Sequence, residues 1–239
     1  MAFSSYADTL HYLYAQLPMF TRVGASAYKK DLHNILALCN ALHNPERKFK
    51  SVHIGGTNGK GSSSHMLAAI LQTAGYKTGL YTSPHLLDFR ERIRINGQMI
   101  PEQEVVNFVN SHQALFEEIN PSFFEATVGL AFDYFAKQQV DIAIIEVGLG
   151  GRLDSTNVIH PLLSLITNIG LDHQDILGTT LREIAGEKAG IIKTGTPIII
   201  GEQQAEIADI FENKAKDANA KIRYASDCWT ITPKETAPL

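Results

Sequence analysis

Val52-His53-Ile54-Gly55-Gly56-Thr57-Asn58-Gly59-Lys60-Gly61-Ser62-Ser63 places a glycine-rich loop with one lysine directly after a short apolar run. A strand, a glycine-rich turn and a helix N-terminus in that order hold phosphate. Backbone N–H groups point inward, glycine permits close approach, and Lys60 adds a mobile positive charge. The usual G-x-x-x-x-G-K-[ST] spacing is broken twice, by Ile54 where glycine would stand and by Gly61 where serine or threonine would. The loop reads either as a plain strand–helix turn or as a distinct branch of phosphate binders.

Outward from the loop, the pattern alternates. A strand at 51–54 leads through the loop to a helix at 62–74, closed by Gly75 as a left-handed cap. A second strand at 78–82 precedes Arg92-Ile93-Arg94-Ile95-Asn96-Gly97, whose alternation and Asn-Gly turn predict a small hairpin. Helices are expected at 6–17, 29–42, 102–118 and 123–137. The runs 142–147 and 162–166 are continuously apolar and rich in Ile, Val and Leu, as strands buried on both faces are. A helix at 181–189, a strand at 197–200, a helix at 205–218 and a strand at 221–224 complete the series. The expected fold class is α/β, a P-loop-type, largely parallel sheet with helices on both faces plus a small β-hairpin.

At 239 residues, with 44% hydrophobic and 19% charged residues, the chain has the composition of a globular protein with a sizeable core. A net charge of −4 without a basic run makes nucleic acid and anionic membranes poor partners. Cys39 and Cys228 stand far apart, which excludes a zinc ribbon and a disulfide framework and fits a reducing cytoplasm. No signal peptide is legible, and no apolar run reaches the ~18 residues of a membrane span.

In a parallel sheet the strand C-termini share one edge, where open α/β sheets bind ligands. That edge collects Asn58, Gly59, Lys60 and Gly61, with Ser62 opening the helix. It also collects Thr82, Ser83 and His85, then Glu146, then Asn168, Asp172 and His173. A lysine, a hydroxyl, a carboxylate and a histidine together can build an ATP–Mg²⁺ site. Singly, each has a plainer reading. Glu146 in its apolar run can be a structural ion pair with Arg152, His173 a loop histidine, Ser83 a turn serine before Pro84, and Lys188 a solvated helix lysine.

Five strings occur in one order: Gly-Gly-Thr-Asn-Gly-Lys-Gly-Ser (55–62), Tyr-Thr-Ser-Pro-His-Leu (81–86), Glu-Val-Gly-Leu-Gly-Gly-Arg-Leu-Asp-Ser-Thr-Asn (146–157), Leu-Asp-His (171–173) and Gly-Glu-Lys-Ala-Gly-Ile-Ile-Lys (186–193). Together they closely resemble the folylpolyglutamate synthase and dihydrofolate synthase family, a branch of the Mur ligase superfamily, over residues 6–202. The resemblance implies a Mur-ligase central-domain-like fold and an ATP-dependent ligase that joins L-glutamate to a folate or dihydropteroate carboxylate through an acyl phosphate. It assigns ATP phosphates to Asn58, Gly59, Lys60, Gly61 and Ser62, and Mg²⁺ at two sites to Ser83, Glu146 and His173. Lys188 matches the lysine that the family carries as a carbamate, and Lys60, Lys188 and His173 are the implied catalytic residues. The pterin side falls to Ser122, Phe123, Phe124 and Glu125 and to Leu153, Asp154 and Ser155, since an aromatic face stacks on a pterin ring and a carboxylate accepts from its amino edge. The loop 18–24 is a candidate lid.

A cytoplasmic monomer is expected. Residues 1–231 are read as the ATP-binding domain, incomplete at its C-terminal end, and 232–239 as a polar tail; the family's glutamate-binding domain lies outside the chain. Little ligase turnover is expected from such a portion alone. A cell-wall precursor ligase is disfavoured because the segment before the loop is too short for its nucleotide-sugar domain. A non-catalytic nucleotide-binding module derived from such a ligase is the remaining alternative.

Overall fold

The structure, a computed structural model, describes residues 2–18 and 31–227. The candidate lid beyond Pro18, the first residues of the helix expected from 29, and the 232–239 tail lie outside the described residues.

Eight strands form one sheet in the order β4-β3-β2-β5-β1-β6-β7-β8. They are β1 (Lys50–Gly55), β2 (Thr78–Tyr81), β3 (Ile93–Ile95), β4 (Gln98–Met99), β5 (Ile142–Glu146), β6 (Leu163–Ile166), β7 (Ile198–Ile200) and β8 (Ile222–Tyr224). Six of them, β2-β5-β1-β6-β7-β8, pair in parallel, and at one edge β3 pairs antiparallel with both β2 and β4. β1 lies between β5 and β6. The chain leaves β1 toward one side and passes to the other after β5, so the loops following β1 and β6 meet at a topological switch point.

The helices are α1 (Tyr6–Gln16), α2 (His33–Ala41), α3 (Lys60–Thr73), α4 (Glu102–Ile119), α5 (Phe123–Lys137), α6 (Gln174–Leu177), α7 (Leu181–Ala189) and α8 (Ala208–Asp217). Register puts Val52, Ile54, Leu80 and Ile144 on one sheet face, where α3 covers them with Ala68, Leu67 and Leu71. The other face is split. Ala143 and Ile145 join the aromatic core built with α1, α2, α4 and α5, including Phe132 and Phe135. Ile166, Ile198 and Ile200 pack against Ile184 and Ala185 of α7 and Phe211 of α8.

Local chemistry explains the boundaries. α3 starts at Lys60, two residues before its expected start, because Gly59 at φ +79° turns the chain directly into the helix. α2 starts at His33, with the Asp31 side chain accepting from the His33 N–H at 2.8 Å. α5 and α7 begin at capping boxes, Ser122/Glu125 and Thr180/Glu183. α8 begins three residues later than its pattern suggests, since the Gln204 side chain is bonded to both backbone groups of Ile169. The short α6 and the 3₁₀ turns, among them Phe89–Arg92 and Ser155–Val158, are too brief to leave a periodic signal.

Candidate active site

The glycine loop is built by the two strands flanking the switch point. Thr57 N–H donates to Asn168 O and Asn58 N–H to Asn168 Oδ1, both at 2.9 Å. Gly170 N–H returns to Thr57 Oγ1 at 2.9 Å, and Thr167 Oγ1 donates to Asn58 O at 2.7 Å. Gly56 sits at φ +133°, and a Cβ there would lie 1.8 Å from Thr167 Oγ1, so only glycine fits. Thr57, Thr167 and Asn168 hold the loop in shape; their types are ordinary for turns, and no spacing signal singles them out.

α3 opens from this loop with its first N–H groups facing the strand edge, a ready anion site. Lys60 Nζ donates to Gly56 O at 3.0 Å and Thr57 O at 3.1 Å. Lys188 Nζ, from α7, donates to the same Gly56 O at 2.9 Å. The plain reading of Lys188 as a solvated lysine is corrected: the side chain is 5% exposed. Burial, helped by the charge of Lys60 and opposed by Asp172 and Asp154, pushes its pKa down to about 8.

Glu146 ends β5, buried, and its Oε2 accepts the Ser83 N–H at 3.1 Å. Its carboxylate oxygens lie 3.6 and 3.8 Å from where a Cβ on Gly61 would stand, so the helix start and the carboxylate share one space. Burial raises the Glu146 pKa, against the Ser83 N–H and Lys60, with Asp154 adding to the rise. Arg152, the alternative partner considered for Glu146, pairs with Glu187 at 2.8 Å. The structure thus joins Lys60, Gly61, Ser83, Glu146 and Lys188 around one loop.

His173 follows β6 in a left-handed conformation, half-exposed beside Asp172. Among the described residues no three His, Cys, Asp or Glu side chains converge on one metal position. Mg²⁺ needs no such cluster, because it takes one or two protein oxygens and completes its shell with phosphate and water. The Glu146 carboxylate and Ser83 hydroxyl are oxygen donors of that kind.

The expected pterin residues are also brought together, across sequence gaps. Phe124 is half-buried, its ring 6.2 Å from Tyr81 and against Gly148, where a Cβ would lie 2.4 Å from Phe124 Cζ. The 148–155 loop, carrying Leu153, therefore faces Phe124. Others in the set have work inside the fold. Ser122 Oγ accepts Glu125 N–H, and Glu125 Oε2 accepts Ser122 N–H at 2.7 Å. Phe123 is buried between Phe89 and Tyr14. Asp154, buried next to Ser155, accepts from Leu149 N–H at 2.8 Å, Thr156 N–H at 2.9 Å and Thr156 Oγ1 at 2.5 Å. Thr156 Oγ1 in turn lies 2.8 Å from Nε2 of His53, whose burial pushes its pKa down to about 3. A neutral His53 donating to Thr156, which donates to Asp154, locks the base of the 148–155 loop; nothing in the spacing of the glycine strand marks His53 for this role.

Beside the site, Arg152, Ile176, Gly178, Arg182, Glu183 and Glu187 line a cleft of about 410 Å³, its two guanidiniums paired with Glu187 and Asp209. No helix among the described residues is long and apolar enough to cross a membrane.

Residues 54–228 match the family model of the Mur ligase middle domain. The chain is 40% identical over 243 residues to a dihydrofolate synthase/folylpolyglutamate synthase of Bacillus subtilis (strain 168), covering 99% of this chain and 55% of that protein. The folylpolyglutamate synthase of Thermotoga maritima superposes with a TM-score of 0.82 at 40% identity, over 92% of this chain and 49% of that one. A folylpolyglutamate synthase solved with AMPPCP and folate gives 0.84 at 39% identity, over 92% and 54%. The chain spans about half the length of the relatives it matches.

Proposed function

This chain belongs to the Mur ligase middle-domain family, and from that membership we propose that it is the ATP-handling part of a folylpolyglutamate synthase/dihydrofolate synthase. The observation that carries this reading is the meeting of Lys60 and the buried Lys188 on one carbonyl, Gly56 O, beside the Glu146 carboxylate. Phosphate recognition alone explains Lys60. It does not explain a second lysine, buried and pushed toward neutrality, at the same point.

In the proposed reaction an oxygen of the dihydropteroate or folate carboxylate bonds to the γ-phosphorus of ATP, the bond to the β–γ bridging oxygen breaks, and ADP leaves. The amine nitrogen of L-glutamate then bonds to the acyl carbon, phosphate departs, and the nitrogen loses a proton. The protein's task is positioning and charge neutralisation. Gly59, Gly61 and Ser62 present backbone donors to the phosphates, Asn58, its own N–H held by Asn168 Oδ1, sets the shape of the loop around them, and Lys60 exchanges its two loop carbonyls for phosphate oxygens. Ser83, Glu146 and His173 are the residues that would hold Mg²⁺, which would supply positive charge to offset that of the phosphates. The neutral amine of Lys188, favoured by its low pKa, is the form that adds to CO₂, giving a carbamate anion and a proton. Phe124 and the 148–155 loop bound the pterin side.

The test is trapping. The purified chain is incubated with Mg-ATP, hydroxylamine and either dihydropteroate or tetrahydrofolate, and products are read by mass spectrometry. A hydroxamate of either acid supports acyl-phosphate formation, and the acid that yields it identifies the substrate. Mg-ATP binding with no hydroxamate from either acid, both for this chain and for the same chain extended through the C-terminal half that its relatives carry, overturns the reading and leaves a non-catalytic nucleotide-binding module.

A further inference from the structure

Among the described residues Arg92 is a buried cation with no carboxylate against it. It ends the 3₁₀ turn Phe89–Arg92 and is 8% exposed. Its Nε donates to His85 Nδ1 at 2.8 Å, and its guanidinium carbon lies 5.4 Å from the Phe123 ring centroid. Among the described residues its terminal nitrogens hold no hydrogen bond within 3.5 Å and no carboxylate within 4.0 Å. The acids nearby are engaged elsewhere. Asp88 pairs with Arg90 at 2.6 Å, and Glu91 accepts the N–H groups of Leu86, Leu87 and Asp88. Outside the described residues the sequence carries a single acid, Glu235. Stacking on Phe123 offsets part of the desolvation of a guanidinium but supplies no counter-charge.

A second buried polar group stands at the same place. The Tyr81 hydroxyl is fully buried, and the Arg92 guanidinium is the polar group that faces it, with Asp154 and Glu146 acting on it as charges. Tyr81 and Phe123 belong to the aromatic group that includes Phe124, whereas His85 belongs to the loop that carries Ser83. Arg92 therefore bridges the ring-binding side and the phosphate side. In the proposed function, an acid with its ring on Phe124 and its carboxylate toward ATP would lie along this bridge.

We infer that Arg92, with the Tyr81 hydroxyl beside it, receives the carboxylate of the acid substrate and selects acids over ring-only analogues. This rests on the proposed function and adds a residue to it. A planar guanidinium with free terminal nitrogens matches a carboxylate in a way that lysine does not.

The test measures dissociation constants of pteroate and of 6-methylpterin, which has the ring without the carboxylate, for the wild-type chain, Arg92→Lys and Arg92→Met in the presence of Mg-ATP. Wild type should prefer pteroate. Arg92→Met should lose on the order of ten- to hundredfold in pteroate affinity with 6-methylpterin unchanged, and Arg92→Lys should fall between. Should Arg92→Met fail to fold, Arg92→Lys alone decides, through a fall in pteroate affinity at constant 6-methylpterin affinity. Equal loss for both ligands, or no change in their ratio, makes Arg92 a structural residue and overturns the assignment. Wild type that binds Mg-ATP but prefers neither pterin also overturns it. Wild type that binds neither nucleotide nor pteroate overturns the proposed function itself.

Discussion

Replacing Lys188 by methionine should stabilise the protein at neutral pH while removing its acyl-phosphate chemistry. Burial moves the lysine from its ordinary 10.5 to about 8, which at ~1.4 kcal/mol per pKa unit is a cost of about 3 kcal/mol for holding the charged form in the folded state. Below pH 8 the folded and unfolded chains both carry the proton, and the cost is felt in full. Between about pH 8 and 10.5 the unfolded lysine keeps a proton that the folded one has released, so this group's contribution to wild-type stability rises with pH. Methionine fills the same space without charge. It withdraws one donor from Gly56 O, worth about 1 kcal/mol, although Lys60 still donates there at 3.0 Å. Lys188→Met should therefore be about 2 kcal/mol more stable than wild type at pH 7 and slightly less stable above pH 10.5. Urea denaturation of both proteins at pH 7, 8.5 and 10.5, in bicarbonate-free buffer so that no carbamate forms, reads the difference directly. A variant that is less stable at pH 7, or a difference that does not change with pH, would refute the picture of a strained buried amine. A gain in stability coupled to lost chemistry is the trade expected of a functional site.

Lys60→Ala should abolish measurable Mg-ATP binding by calorimetry and shift the urea midpoint little, because its two hydrogen bonds only fold the side chain back on its own loop. Gly56→Ala should cost more than about 2 kcal/mol and weaken nucleotide binding, since φ +133° and the 1.8 Å approach to Thr167 Oγ1 both forbid a Cβ. Gly59→Ala, at φ +79° with open space around it, should cost only about 1 kcal/mol, and equal losses at 56 and 59 would contradict the packing argument. Thr156→Val should cost about 1–3 kcal/mol by stranding His53 Nε2–H in the interior and removing one of the two donors to Asp154 Oδ1, whereas Thr156→Ser should recover most of it. Thermal denaturation of the pair checks this, and equal losses would mean that the missing methyl matters more than the hydroxyl.

The α/β class, the parallel sheet and its hairpin were legible because they rest on local periodicity. The runs around Ile144 and Leu165 are apolar without alternation, as strands covered on two faces must be, and Asn96-Gly97 marks its turn by backbone preference alone. The glycine loop was legible for the same reason, since Gly56 and Gly59 are dictated by the conformation of their own segment. The polar residues at the strand ends followed once the strands were placed.

Partners far apart in sequence were not legible. Lys188 is a helix lysine like any other until the crossover after β6 brings α7 under the loop and sets Nζ on Gly56 O, 132 residues away. Glu125 and Asp154, expected on the pterin side, also accept from backbone N–H groups in the fold, since a buried N–H must find an acceptor wherever the chain turns. Arg92 gave no signal at all, because charge in a sequence says nothing about whether a counter-ion stands beside it. The sequence by itself determined which segments are strands and helices and that one loop suits phosphate. Tertiary structure decided which charges are buried, and with what, because desolvation depends on neighbours that only the closed sheet brings into contact.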